Sequence, residues 1–88
     1  MKPVNEVISE FLSYQDVNAL SRNEYKCVVN YFTRWVVMNG LDFWQLKRSD
    51  ILRYKSDMLK KRMSVYTIGL YLTVVRKLFE FLSLEGYY

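Results

Sequence analysis

The stretch Ser21–Gly40, SRNEYKCVVNYFTRWVVMNG, decides the fold. Tyr25, Val28, Val29, Phe32, Trp35 and Val36 recur at three- and four-residue spacing, which makes one continuous apolar stripe on a helix of 3.6 residues per turn. Asn23, Lys26, Asn30, Thr33 and Arg34 fall on the opposite side, a polar and mildly basic face. Ser21 and Glu24 have the spacing of a capping box, in which each side chain takes a backbone N–H of the other residue. Asn39-Gly40 supplies a left-handed stop. The pattern predicts a helix over 21–39.

Working outward, Val4, Val7, Ile8, Phe11 and Leu12 mark a first helix over 3–14, with Pro3 suited to its first turn. The segment QDVNAL (15–20) reads as a loop. On the other side, LDFWQL (41–46) is a short apolar connection whose Trp44 and Leu46 are expected to fold back onto the core. A third helix follows over 48–62. Ser49 is the better cap by chemistry, whereas a start at Lys47 would put Asp50 at the third helical position. Ile51, Tyr54, Met58 and Leu59 form its expected buried stripe. A fourth helix over 65–84 is capped by Ser64 and stopped by Gly86. Ile68, Leu72, Val75, Phe79 and Leu82 face inward, widened by Leu78 and Phe81. Tyr66, Gly69, Leu70, Thr73, Lys77 and Glu80 face outward. Gly69 costs about 1 kcal/mol of helix stability relative to alanine and admits close approach by another backbone or a phosphate. Tyr66 and Leu70 are large groups on that face, so the helix either is buried on both sides or presents them to a partner. The expected fold is all-α, a compact four-helix bundle forming a single domain over 1–88.

Composition narrows the function. The 88 residues are 51% apolar and 17% aromatic, too hydrophobic for a disordered tail, and a single core serves a chain of this length. One cysteine excludes an internal disulfide, and zero histidines exclude His-based metal sites, Ser-His or Cys-His nucleophile pairs and histidine acid–base chemistry. No catalytic residue, metal or cofactor is expected, and no small-molecule substrate. No run approaches the roughly 18 apolar residues of a membrane span, and MKPVNEVISEF carries acids where a signal peptide has its apolar stretch. A cytoplasmic setting without a membrane partner is the expectation.

The formal charge is +4, and its distribution says more than its size. Residues 47–62 carry Lys47, Arg48, Arg53, Lys55, Lys60, Lys61 and Arg62 against Asp50 and Asp57, a net +5, whereas the first twenty residues sum to −2. A polyanion-binding patch requires such concentration. A solvated helix face gives the same count, and Lys60-Lys61-Arg62 also complements the negative end of a helix dipole. Both readings stand on charge alone.

The ordered set of signals resembles the core-binding domain of tyrosine recombinases, the phage-integrase family. It runs through Ser21, Tyr25, Val28-Val29, Phe32, Trp35 and Gly40, then Leu46, Asp50-Ile51, Tyr54 and Leu59. It closes with Ser64, Thr67-Ile68, Leu72, Arg76, Phe79, Phe81-Leu82 and Gly86. The resemblance covers about three quarters of the chain and implies a SAM-like four-helix bundle lying N-terminal to a separate catalytic domain. That domain, with its Arg/Lys/His set and tyrosine nucleophile, is absent from this chain. Tyr87 and Tyr88 have nothing beside them to activate a phenol. The resemblance implies a partner, double-stranded DNA, gripped during integration or excision through the major groove and phosphates, and in the full-length parent other recombinase protomers on the same DNA. Carried over position by position, the second helix offers Ser21, Asn23, Lys26 and Asn30. The turn before the fourth helix offers Lys60, Lys61 and Arg62, and the fourth helix itself Ser64, Tyr66, Thr67 and Leu70. Arg76 is expected to brace the bundle or the catalytic domain. Two other functions remain open on the residues. One is a helical protein–protein interaction module of SAM-like type, using Tyr14, Tyr66, Leu70 and Tyr71 as a partner patch. The other is a small standalone repressor, for which no compact helix-turn-helix signature is present.

Overall fold

The structure, a computed structural model, describes residues 2–15 and 19–88. Helix α1 spans Val4–Tyr14. Pro3 precedes it with φ −58° and ψ 148°, and its carbonyl accepts the Glu6 and Val7 N–H groups at 3.1 and 3.2 Å. The ring therefore sits where a missing N–H costs nothing. Helix α2 spans Ala19–Met38. It begins two residues before the expected cap, so Ser21 lies inside the first turn and does not cap the helix. A Ser-x-x-Glu spacing has the same look inside a helix as at its start, and residues 19 and 20 extend the helix backwards. Of the expected loop over 15–20, residues 16–18 lie outside the described residues. The C-terminal end is as the sequence suggests: Gly40 takes φ +66°, and the Leu41 N–H reaches back to the Val36 carbonyl at 3.0 Å.

A 3-10 turn over Phe43–Gln45 leads to helix α3, Arg48–Lys60. Lys47 stands in extended backbone before it, and its N–H donates to the Asp50 carboxylate at 2.9 Å. Of the two possible starts the fold uses Lys47, because Asp50 then satisfies a free amide and also lies at the positive end of the dipole. The far end comes at Lys60, short of the expected 62. Helix α4 spans Val65–Leu84, with Ser64 Oγ accepting the Thr67 N–H at 3.1 Å.

The four helices close on one core. Val7 and Phe11 of α1, Val28, Val29, Phe32 and Val36 of α2, Tyr54 and Met58 of α3, and Val74, Val75, Leu78 and Leu82 of α4 are almost wholly sealed from solvent. Each such side chain contributes about 1.5–3 kcal/mol. Helix α4 packs on both α2 and α3, while α1 covers α2. Trp35 Nε1 donates to Asp57 Oδ2 at 2.9 Å and Arg53 donates to Asn39 Oδ1 at 2.8 Å, which ties α3 to α2.

Four details differ from the sequence expectation. Leu59 is exposed, since its neighbour Met58 takes the core position and adjacent residues point about 100° apart on a helix. Leu70 is half-buried against the core rather than outward, and Val74 is fully buried although it lies off the inner stripe. Both follow from α4 having two neighbours, which widens its buried face. In the connection Phe43 is the buried ring, and Trp44 and Leu46 pack half-buried beside it.

Candidate nucleic-acid interface

The basic triplet is carried by the turn between α3 and α4. Lys61 ends the helix, Arg62 takes φ +58°, and the Met63 N–H returns to the Met58 carbonyl at 3.3 Å. This is the left-handed helix stop that glycine normally makes, here made by an arginine at a cost of about 1–2 kcal/mol. Met63 anchors the turn: its Sδ accepts the Tyr31 hydroxyl at 3.9 Å. Lys60, Lys61 and Arg62 are consequently held exposed at one corner of the bundle. Ser64 follows, donating to Thr67 Oγ1 at 2.8 Å while its own oxygen takes the Thr67 N–H. The N–H groups of Val65 and Tyr66 have no intrahelical acceptor at this position, and Val65 and Tyr66 themselves are 86% and 80% exposed.

Helix α2 flanks this corner. Lys61 Nζ donates to the Tyr31 hydroxyl at 3.3 Å and lies 5.5 Å from the ring centroid, so the ammonium sits at the ring edge rather than over its face. Further along, Lys77 Nζ donates to the Tyr25 hydroxyl at 3.0 Å, and Tyr31 meets Tyr71 edge-on at 5.3 Å. These contacts run α2 and α4 antiparallel. Lys60, Lys61, Arg62, Ser64, Tyr66 and Thr67 thus gather at one end, with Tyr31 beside them. Ser21 and Asn23 do not join them: ten residues of helix separate Ser21 from Tyr31, about 15 Å. Lys26 and Asn30 line the groove between α2 and α1 together with Asn5, Ser9 and Thr33. Lys26 is five residues from Tyr31, so the two point about 140° apart around α2. Asn23, Cys27, Asn30 and Arg34 lie exposed between them. The expected docking face is therefore two flanks of α2, one at α1 and one at the basic turn, and Leu70, half-buried, belongs mainly to the packing.

The electrostatics of the turn depend on where the acids go. Asp50 accepts the Lys47 N–H and Asp57 accepts the Trp35 indole N–H. Among the described residues, none of the seven bases over 47–62 lies within ion-pair distance of a carboxylate. Sequence reasoning had no signal for Tyr31, which falls off the apolar stripe, nor for the two acids being held in hydrogen bonds. Arg76 is exposed, and among the described residues no hydrogen bond or ion pair ties it to the bundle. The tyrosine–leucine patch expected of a protein-interaction module is not assembled. Tyr14 contacts Phe81 at 5.5 Å, fifteen residues or about 22 Å along α4 from Tyr66, and Leu70 and Tyr71 are half-buried.

The sequence profile of the phage integrase N-terminal SAM-like domain matches residues 8–86. The chain belongs to this family. Comparison with curated proteins and with solved structures gives no match. The bundle is accordingly a SAM-like one, and the role of this integrase domain lies in the context of integration and recombination. The match is to a small N-terminal domain, not to a catalytic one. Every candidate residue from Ser21 to Leu70 falls inside the matched span. Among the described residues no helix of the integrase domain is long and apolar enough to cross a membrane.

Proposed function

We propose that this domain grips double-stranded DNA for a tyrosine recombinase whose strand-cutting residues lie in a separate catalytic domain, acting in the cytoplasm beside other protomers on the same duplex. The observation that carries the reading is the α3–α4 turn: three consecutive exposed cations, none within ion-pair distance of a carboxylate among the described residues, set against the first turn of α4. Cations of this kind release counterions from a phosphate backbone, which gives affinity without sequence information. Helix N-termini and short hydroxyl donors such as Thr67, whose oxygen accepts from Ser64, fix the register. Lys26, Asn30 and Asn23 supply a second flank, where amide and ammonium groups can reach base edges. The apolar character of Leu70 and Met63 leaves direct readout sparse, so shape and phosphate contacts dominate.

The test is fluorescence anisotropy of a labelled mixed-sequence duplex over a range of salt. Affinity is expected to fall linearly in log–log form, and Lys61→Ala is expected to reduce the slope by about one phosphate contact. Lys26→Ala should weaken binding with the fold intact. Affinity that ignores salt, or that ignores both substitutions, overturns the reading. Salt-insensitive self-association would instead favour a protein-interaction module.

A further inference from the structure

An open groove of about 500 Å³ runs between α3 and α4 at the end of the bundle away from the basic turn. Its floor is apolar, made by Leu46, Ile51, Leu72 and Phe79, and its rim carries Lys47, Arg48 and Arg76. Among the described residues no aspartate or glutamate side chain lines this floor. One turn beyond Arg76, Glu80 lines a shallower continuation towards Ser83 and Leu84. The wall at Tyr88 is fixed: its hydroxyl donates to the Phe43 carbonyl and accepts the Leu46 N–H at 3.2 Å. Its ring stands edge-on to Phe79 at 5.1 Å.

We propose that this groove is a docking site for an acidic amphipathic helix of another polypeptide. From Leu72 to Leu84 the groove follows α4 for twelve residues, about 18 Å, the length of three helical turns. A helix laid there places anchors at i, i+3, i+4 and i+7 on the apolar floor. Its acidic side then meets Lys47, Arg48 and Arg76, of which the two arginines have no carboxylate partner among the described residues and make forked bonds to carboxylates. Duplex DNA is the poorer occupant, because a phosphate backbone gains nothing from Leu46, Ile51, Leu72 and Phe79. Arg48 also lies twelve helical residues, about 18 Å, from Lys60. The site therefore does not depend on the turn binding DNA.

The experiment uses the whole 88-residue chain and a fluorescein-labelled peptide of roughly 14 residues, with leucines at those four spacings and glutamates between them. A scrambled peptide of equal composition is the control. The helical peptide is expected to bind saturably and the scramble about tenfold more weakly. The double variant Arg48→Glu/Arg76→Glu, with unchanged helicity, is expected to lose about tenfold or more. Should that variant not fold, the peptide with lysine in place of glutamate gives the same answer on the wild type by failing to bind. Saturating duplex is expected to leave the peptide bound. Equal binding by the scramble or by the lysine peptide, indifference to the charge reversal, or displacement by duplex would each overturn the proposal.

Discussion

Gly69→Ala isolates a glycine that the fold itself does not require. Gly69 is the fifth residue of α4, on its exposed side. A Cβ built there meets no heavy atom within 4 Å, and its backbone is not in the left-handed region. The substitution therefore adds no clash and loses no special conformation. What remains is the propensity difference, about 0.8–1.0 kcal/mol in favour of alanine, part of it from restricting the unfolded chain. For a domain of this size that raises Tm by about 4–8 °C per kcal/mol. Urea unfolding followed by far-UV circular dichroism should show a higher midpoint with an unchanged m-value, the mark of a stability change without altered compactness. A midpoint that stays or falls would refute the reasoning, since it would mean that the methyl meets something or that α4 is broken at residue 69. The same variant separates folding from binding. If a phosphate backbone comes close to α4 at this point, duplex affinity falls while stability rises, a combination that no folding defect produces.

Three further outcomes follow from single contacts. The Tyr54 hydroxyl is wholly buried without a hydrogen-bond partner among the described residues, so Tyr54→Phe should stabilise the domain by about 1 kcal/mol. Burial, with the Tyr31 and Tyr71 phenols adding to it, also holds this phenol protonated well above the usual tyrosine range. Above pH about 10 the unfolded chain then binds fewer protons than the folded one, and stability falls by up to about 1.4 kcal/mol per pH unit. Urea titrations at several alkaline pH values should show a shallower fall for Tyr54→Phe, and identical slopes would contradict the assignment. Asp57→Ala strands the Trp35 indole N–H and should cost about 1–2 kcal/mol. Asp57→Asn keeps an acceptor, so it should retain more of that stability while tightening duplex binding by removing a negative charge. Arg62→Gly relieves the left-handed backbone at the α3–α4 turn and should stabilise the fold by about 1 kcal/mol. It should simultaneously weaken duplex binding, and parallel changes in the two assays would count against the proposed interface.

Periodicity carries furthest where one helix has one dominant buried face. In α2 the stripe from Val28 to Val36 is buried as read, and Asn39-Gly40 stops the helix where a left-handed residue is needed. It carries less far in α4, which has α2 on one side and α3 on the other. There Val74 is sealed although its spacing marks it as an edge position, and Leu70 is drawn in with it. At α3 the pair Met58-Leu59 could not be divided from the pattern alone, because both sit near the same edge and only the position of α4 chooses between them. Helix starts fail for a different reason. Ser21 with Glu24 and Lys47 with Asp50 are both spacing signals, yet only the second ends up at a helix boundary. Which one caps depends on whether the preceding residues are recruited into the helix, and that is settled outside the motif.

The candidate interface was legible as charge and hidden as geometry. Counting seven bases against two acids treats Asp50 and Asp57 as neutralisers scattered among the lysines and arginines. The fold spends them differently, Asp50 on the first free amide of α3 and Asp57 on an indole of α2. Among the described residues neither carboxylate comes within ion-pair distance of Lys60, Lys61 or Arg62, although Asp57 lies only one helical turn before them. The dipole puts about half a negative charge at a helix C-terminus, so one such cation in the last turn already exceeds it. The second and third are surplus to that role, and Arg62 is held there despite a backbone conformation that glycine would adopt at lower cost. The proposed DNA grip would put a requirement on side-chain charge at that corner, rather than on helix termination, and on that proposal both the surplus and the strain are accounted for.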